Sequence, residues 1–326
     1  MSDAIEYGAV RHSEVEVNGV RLHVAEQGEG PLVLLLHGFP ESWYSWRHQF
    51  APLAAAGYRV VAPDQRGYAR SEQPDGVDAY TLLHLVGDAT ALIDALGAER
   101  AVVVGHDWGA VVAWATAALR PDKVRGVAGL SVPPIPVGGP PPLQAARANF
   151  GDGFYQLYFQ EPGRADAELA ADPKSSFRRI LGGIEPDGRP RAWIIPEGKK
   201  LLDTLPEPEQ LPAWLTEADI DAFAADYATH GERAFTGGLN WYRNLDRNAE
   251  LLAAFTGVNV EVPALYVAGE QDLVNAMMPP EVLAHLLGRL PRLHRHVRLP
   301  RTGHWTQQER PAEVNEALLD FLKALD

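Results

Sequence analysis

An aspartate in the pentapeptide GHDWG at residues 105–109 is the first residue of this sequence whose setting indicates chemistry. The pentapeptide follows the apolar run 101–104 and precedes a helical pattern, so it fits a nucleophile elbow with Asp107 in the nucleophile position. Glycines on both sides permit the close backbone contacts of a sharp strand-to-helix turn. The helix N-terminus beneath the turn favours a negative charge there. The alternative is an aspartate that only caps the helix, as aspartates often do.

An acid and a base follow Asp107 in the chain order that such sites use, which is nucleophile, acid, histidine. His304 directly follows Gly303 in a loop after the last predicted strand, and Asp272 stands in the loop after the strand before it. Glu270 is the competing acid, but it falls closer to the end of its strand. The sequence therefore predicts a triad of Asp107, Asp272 and His304.

A second loop, with the sequence HGFP at residues 37–40, follows the apolar run 32–36. A turn there can direct the Phe39 N–H into the site, and together with the Trp108 N–H it would form a two-donor oxyanion hole. His37 precedes the nucleophile, which is the wrong order for the catalytic base. We expect His37 to brace the loop instead.

A carboxylate nucleophile limits the reactions that such a site performs. It attacks an sp³ carbon and forms an ester, and water then attacks the carbonyl carbon of that ester. A serine in the same place would form an ether at an sp³ carbon, which this second step does not hydrolyse. Asp107 therefore argues against an ordinary esterase or peptidase.

Motifs spread over most of the chain resemble those of the epoxide hydrolases of the α/β-hydrolase fold. They are HGFPESW at 37–43, DQRGY at 64–68, GHDWG at 105–109, FYQLYFQEPG at 154–163, NWYRN at 240–244 and GHW at 303–305. The resemblance implies a mostly parallel sheet flanked by helices, with a helical cap inserted late in the chain. It also implies a small hydrophobic epoxide and water as the reactants, and no metal or organic cofactor.

By this resemblance Tyr155 and Tyr242 are the cap tyrosines that donate to the epoxide oxygen. A phenol with a pKa of about 10 is protonated at neutral pH, so it can donate to the alkoxide that ring opening produces. Two convergent phenols would share that stabilisation. Tyr158 and Tyr227 are expected to be core residues.

Three other functions compete with this interpretation. A haloalkane dehalogenase uses the same nucleophile, and Trp108 could donate its indole N–H to a halide; that family, however, usually carries Asn where this chain has Phe39, and it does not need the tyrosine pair. A fluoroacetate dehalogenase requires Arg in the place of Trp108. A catalytically idle binding module of the same fold would have no need of the full set of nucleophile, acid, base and donors.

Strand and helix patterns alternate as the fold requires, with a tight turn expected at Asn18-Gly19. Strands are predicted at 32–36, 59–62, 101–104, 124–130, 264–268 and 296–299, and helices at 43–56, 80–96, 108–119, 281–287 and 314–325. The alternation is interrupted from about 133 to 247 by a stretch that opens with prolines and glycines. We therefore predict a core domain of residues 1–133 and 248–326 and a helical cap domain of residues 134–247.

The composition is that of a soluble globular protein, with 326 residues, 46% hydrophobic and 22% charged. The absence of cysteine rules out disulfides, cysteine-ligated metals and a cysteine nucleophile. A net charge of −14 argues against nucleic acid and anionic membranes as partners. The first residues resemble no secretory signal, and no apolar run is long enough to span a bilayer. We expect a cytoplasmic monomer or homodimer.

Overall fold

The computed structural model describes residues 10–136, 139–183, 193–276 and 278–326. The first residues, on which the expectation about a secretory signal rests, and Gly138 of the proline- and glycine-rich stretch lie outside them. The eight strands of the sheet, β1 to β8, are Arg11–Val17, Val20–Gln27, Leu32–Leu36, Arg59–Pro63, Ala101–His106, Val124–Leu130, Ala264–Gly269 and Leu293–Leu299.

One sheet contains all eight strands in the order β1-β2-β4-β3-β5-β6-β7-β8. β1 and β2 pair antiparallel, β2 pairs antiparallel with β4, and the remaining pairs are parallel. The carboxyl ends of the parallel strands therefore meet at one edge, where sheets of this kind bind ligands. This sheet and its flanking helices confirm the predicted α/β-hydrolase fold.

Helices cover both faces of the sheet and follow β6 as a long insertion. In chain order α1 to α15 are Phe50–Ala55, Leu82–Ala95, Trp108–Leu119, Pro142–Phe150, Tyr155–Tyr158, Arg164–Ala170, Pro173–Gly182, Leu201–Thr204, Glu217–Tyr227, Thr236–Arg243, Leu245–Leu251, Leu273–Ala276, Pro280–Leu287, Thr306–Glu309 and Pro311–Lys323. Short 3₁₀ helices are Trp43–Trp46, Val77–Tyr80, Ala228–Arg233 and Ala253–Phe255. No helix of the described residues is both long and apolar enough to cross a membrane.

Local sequence explains the elements that lead to the site. Asn18 and Gly19 have φ values of 48° and 73°, which is the backbone of a type I′ hairpin turn and matches the expected Asn-Gly signal. β3 is completely buried and consists only of leucine and valine, as a central parallel strand requires. The hairpin and the buried strands thus form where the sequence predicts them.

The helix predicted over 43–56 is wrong as a single element. A 3₁₀ helix at Trp43–Trp46 begins at Ser42, whose side chain accepts from the Tyr44 N–H, and α1 begins only at Phe50. The physical reason is Pro52, because its ring excludes a helix that extends a full turn or more before it. β8 also begins earlier than predicted, at Leu293.

The segment between β6 and β7 is helical in its described residues, from α4 to α11, and we call α4 to α11 the inserted helices. Their apolar side chains belong to the same buried cluster as one face of the sheet. Tyr242 packs against Phe39 and Trp108 of the core, and Phe159 packs against Phe39. The inserted helices consequently close over the carboxyl edge of the sheet. The numerical domain boundaries stay a prediction.

Candidate active site

Asp107 stands at the junction of β5 and α3 in a backbone conformation that non-glycine residues rarely adopt, with φ 52° and ψ −120°. The glycines around it are required by space. A Cβ on Gly105 would lie 2.0 Å from the carbonyl oxygen of Gly109, and a Cβ on Gly109 would lie 2.0 Å from that of Leu36. This sharp turn is the predicted elbow, and it presents the Asp107 carboxylate at the edge of the sheet.

The structure brings Asp107, His304 and Asp272 together. His304 Nε2 lies 3.4 Å from Asp107 Oδ2, and His304 Nδ1 lies 3.0 Å from Asp272 Oδ1. Asp272 is fully buried, while the side chains of Asp107 and His304 are 16% and 20% exposed. His304 therefore lies between the partly exposed carboxylate of Asp107 and the buried carboxylate of Asp272.

The alternative acid does not reach His304. Glu270 is exposed and its nearest cation is Arg298, at 3.7 Å. Asp272 in contrast is held in place by the Val274 N–H, 2.9 Å from its Oδ1. The loop after β7 thus directs Asp272 inward, as predicted, and leaves Glu270 in solvent.

Mutual electrostatics stabilise the charged forms of Asp107 and His304. Burial opposes ionisation of Asp107, but the hydrogen bond and charge of His304 hold the pKa of this carboxyl below its ordinary value. Burial also opposes the charge of His304, yet the carboxylates of Asp272 and Asp107 raise the pKa of His304 well above its ordinary value. In the free enzyme the two carboxylates consequently favour the imidazolium form of His304.

The loop after β3 supplies a donor to the nucleophile. The Phe39 N–H donates to Asp107 Oδ1 at 2.8 Å, and a Cβ on Gly38 would lie 2.4 Å from the same oxygen. Trp108 is the first residue of α3, where N–H groups have no partner within the helix. His37 braces this loop, because its Nδ1 bonds the Gly38 carbonyl at 2.9 Å and its Nε2 accepts from the Gln65 N–H at 3.0 Å.

Tyr155 and Tyr242 stand over Asp107 on two inserted helices, α5 and α10. Their ring centroids are 5.9 Å apart. Burial raises the pKa of both phenols, and the charge of Asp107 raises it further, so both stay protonated. Gln156 donates to the Tyr155 hydroxyl at 3.1 Å. The Trp108 ring packs edge-on against the Tyr242 ring, with 5.1 Å between their centroids.

Close backbone contact fixes the position of α10. A Cβ on Gly237 would lie 2.1 Å from the carbonyl oxygen of Gly67, so the helix touches the loop after β4 directly. Trp241 reinforces this contact, since its indole N–H donates to the Arg66 carbonyl at 3.2 Å. The backbone of the DQRGY motif at 64–68 therefore contacts and positions the helix that carries Tyr242.

The two remaining tyrosines named from the sequence occupy structural positions. Tyr158 donates to Glu168 Oε2 at 2.6 Å. The fully buried Tyr227 donates to the Glu41 carbonyl at 2.8 Å and so ties α9 to the loop after β3.

A buried pair, Glu41 and His106, connects the catalytic loops and was not identified from the sequence. His106 Nδ1 lies 2.7 Å from Glu41 Oε2, and His106 Nε2 lies 2.8 Å from the His304 carbonyl oxygen. Both partners accept, so both ring nitrogens donate and the imidazole carries a positive charge. Burial opposes the charge of Glu41, but His106 outweighs it and lowers the pKa of Glu41. Glu41 also accepts from the Gly38 N–H at 2.8 Å.

Two glutamines complete the surroundings of Glu41. The side-chain amides of Gln307 and Gln308 both donate to Glu41 Oε1 at 3.0 Å. The only signal for this network in the sequence is the position of Glu41 and His106 inside the two loop motifs.

A cavity of about 310 Å³ opens above these groups. Apolar side chains form most of its wall beyond Asp107 and the tyrosines. They are Phe39, Ile180, Leu181, Trp193, Pro212, Trp214, Leu273, Val274 and Trp305. Its polar lining includes Gln271, Arg301 and Glu309. Such a cavity suits a small hydrophobic molecule with one polar reacting centre.

Across the described ranges, no three or more histidine, aspartate or glutamate side chains come together in a way that could hold a metal ion.

Comparison with known proteins identifies the group to which these features correspond. Residues 31–311 match the family described as alpha/beta hydrolase fold. Epoxide hydrolase A of Mycobacterium tuberculosis is 48% identical over 98% of this chain and 99% of its own length. Epoxide hydrolase 1 of Siraitia grosvenorii is 42% identical over 96% of this chain and 98% of its own.

Solved structures agree with the sequence comparison. The crystal structure of epoxide hydrolase A from Mycobacterium thermoresistibile superposes with a TM-score of 0.90 at 50% identity, covering 97% of this chain and 99% of the other. Epoxide hydrolase VrEH1 from Vigna radiata superposes with a TM-score of 0.91 at 41% identity, covering 98% and 99%.

Proposed function

This chain belongs to the epoxide hydrolases of the α/β-hydrolase fold, and we propose that it opens its substrate through a covalent ester on Asp107. The observation that carries this proposal is the placement of Asp107. One of its oxygens accepts from the Phe39 N–H, the other lies 3.4 Å from His304 Nε2, and both face a cavity shared with Tyr155 and Tyr242. Nucleophile, base and proton donors thus border one space.

In the first half-reaction, an Asp107 oxygen attacks a carbon of the epoxide ring and the C–O bond to the ring oxygen breaks. The released electron pair stays on that oxygen, and a phenol of Tyr155 or Tyr242 gives it a proton. The proton of the His304 imidazolium then restores the phenol. The products are a hydroxyalkyl ester of Asp107 and a neutral His304.

In the second half-reaction, His304 accepts a proton from water as the water oxygen attacks the ester carbonyl. The N–H groups of Phe39 and Trp108 stabilise the oxyanion. The alkyl oxygen then departs as the diol and takes the proton that His304 has accepted. The second water proton returns His304 to the imidazolium and Asp107 to the carboxylate. Esterification removes the charge of Asp107, which lowers the pKa of His304 and prepares it to act as a base.

A haloalkane dehalogenase fits these groups less well. The Tyr242 ring packs edge-on against the Trp108 indole, 5.1 Å away between centroids, and a halide-releasing reaction has no need of that phenol. Phe39 contributes only its backbone N–H at the position where the rival family usually offers an amide side chain.

The proposal is tested with His304→Gln and styrene oxide. Alkylation should proceed without the base, because it needs only an ionised carboxylate and neutral phenols, while ester hydrolysis should stall. Mass spectrometry of the peptide that contains Asp107 should show an increase by the mass of the whole epoxide. His294→Gln, a surface histidine paired with Asp320, is the matched control and should turn over without an adduct.

Labelled water gives a complementary result. In a single turnover of the wild type in ¹⁸O-water, the diol should carry an unlabelled carboxylate oxygen and Asp107 should acquire the label. A fully labelled first diol together with no adduct in His304→Gln would mean that water attacks the epoxide directly, and the nucleophilic role of Asp107 would have to be abandoned.

A further inference from the structure

Glu309, the last residue of α14, holds the backbone on both sides of His304. Its Oε2 accepts from the Gly303 N–H at 2.7 Å, and its Oε1 accepts from the Trp305 N–H at 2.9 Å. A Cβ on Gly303 would lie 3.0 Å from Oε1, so the carboxylate lies directly against this loop. Glu309 also lines the cavity above Asp107.

The carbonyl side of His304 is fixed by other groups. Its oxygen accepts from His106 Nε2 at 2.8 Å and from the Ser131 hydroxyl at 2.6 Å. The backbone at His304 is thus held at its carbonyl oxygen by His106 and Ser131. The N–H groups of the two flanking residues are both held by Glu309. Rotation of the loop would break two charge-assisted hydrogen bonds at once.

The charge of Glu309 is not neutralised by a lysine or arginine within ion-pair distance in the part of the chain that the structure describes. Burial raises the pKa of Glu309, against which the Gly303 and Trp305 N–H groups and the charge of His304 act. Its carboxylate thus interacts favourably with a charged His304. In the ester, Asp107 is neutral, so Asp272 and Glu309 are the carboxylates that remain to stabilise the imidazolium.

We propose that Glu309 is a positioning residue for the second half-reaction, where it fixes the orientation of His304 and stabilises the imidazolium that forms as water is deprotonated. This inference rests on the proposed covalent ester. Alkylation of Asp107 requires no proton acceptor, so it should be insensitive to Glu309. Loss of Glu309 should therefore slow the second half-reaction and not the first. A contribution to loop stability alone would not separate the two steps in this way.

Single-turnover rapid-quench measurements with Glu309→Gln and styrene oxide test the proposal. The amide accepts one of the two N–H groups and carries no charge. We expect the alkylation rate to stay within about twofold of the wild type and ester hydrolysis to slow about tenfold, the usual effect of one lost hydrogen bond to a charged group. The ester should then accumulate on Asp107. Glu313→Gln is the matched control, because that half-buried residue lies nearby in sequence and pairs with Arg310.

Equal slowing of both steps, or no change in either, would overturn the inference and leave Glu309 a structural residue. If Glu309→Gln fails to fold, Glu309→Asp allows the same comparison of the hydrolysis rate with the alkylation rate. The charge remains, but the shorter side chain cannot reach both N–H groups, so hydrolysis alone should slow. An unchanged ratio of the hydrolysis rate to the alkylation rate in Glu309→Asp would also overturn the inference. Failure of His304→Gln to form any adduct on Asp107 contradicts the covalent mechanism instead, so the two failures are distinguishable.

Discussion

The phenol rings of Tyr155 and Tyr242 meet almost edge-on, with an interplanar angle of 76°. They reach this arrangement from separate inserted helices, and besides Phe159, which both rings contact, each has neighbours of its own. Tyr155 packs against Trp193, and Tyr242 packs against Phe39 and Trp108 of the core. Two phenols from separate helices therefore border the cavity that Asp107 lines.

Tyr155→Phe and Tyr242→Phe should each lower kcat/KM for an epoxide by about 10²-fold, the usual cost of one lost donor to a developing oxyanion. The double variant should have almost no activity, because no phenol remains to protonate the alkoxide. Steady-state diol formation measures this. Tyr158→Phe, which removes only a hydroxyl bonded to Glu168, is the control. Near-normal diol formation by the double variant would show that the donors lie elsewhere.

Asp272→Asn should slow ester hydrolysis by about 10²-fold or more and slow ester formation much less. The amide still accepts from His304 Nδ1 but no longer stabilises the imidazolium. Stopped-flow tryptophan fluorescence resolves the two phases, since Trp108 adjoins the ester. Glu270→Gln should leave both phases intact; a hydrolysis defect in that variant in place of Asp272→Asn would transfer the role to Glu270.

The pH profile of kcat/KM should be broad. The pKa of Asp107 lies below the ordinary carboxyl value of about 3.8. Asp107 therefore stays ionised, and the enzyme stays active, as the pH falls towards that value. Alkylation needs only an ionised carboxylate and neutral phenols, and the pKa of His304 is raised well above its ordinary value of 6.5, so no limb should appear near that value. Adduct formation by His304→Gln should show the same flat profile there. A wild-type limb centred at the ordinary histidine value would contradict this assignment.

Glu41→Gln should lower the free energy of unfolding by about 3–5 kcal/mol, because the neutral amide leaves a buried imidazolium without its counter-charge. Both side chains of the pair are completely buried. Urea denaturation followed by circular dichroism measures the change. Glu14→Gln, which removes an exposed pair with Arg21, should cost less than about 1 kcal/mol. Similar losses in the two variants would mean that His106 is not charged.

The triad and the elbow were predictable because local motifs encode them. Asp107 lies between glycines that the turn requires, and His304 follows a glycine after a strand. Strand order then determines that the loops after β5, β7 and β8 meet at one edge. Asp272 was separable from Glu270 by its distance from the strand end, which is also a local property.

Glu41 and Glu309 were not identified because their roles depend on distant partners. Glu41 meets Gln307 and Gln308 across most of the chain, and nothing in its own neighbours in sequence indicates a buried charge. Glu309 resembles an ordinary helical glutamate until α14 folds back towards Gly303. The error at 43–56 has a local cause instead, because apolar periodicity favours one helix there and the ring of Pro52 prevents it.

The inserted helices leave the sheet after β6 and return before β7, so the phenols belong to a stretch of chain that is separable from the one bearing Asp107, Asp272 and His304. On the proposed mechanism, hydrolysis of the alkyl ester then depends on residues of the core, whereas protonation of the epoxide oxygen depends on residues of the insertion. A change confined to the inserted helices can therefore alter the proton donors while the loops that bear Asp107, Asp272 and His304 stay in place.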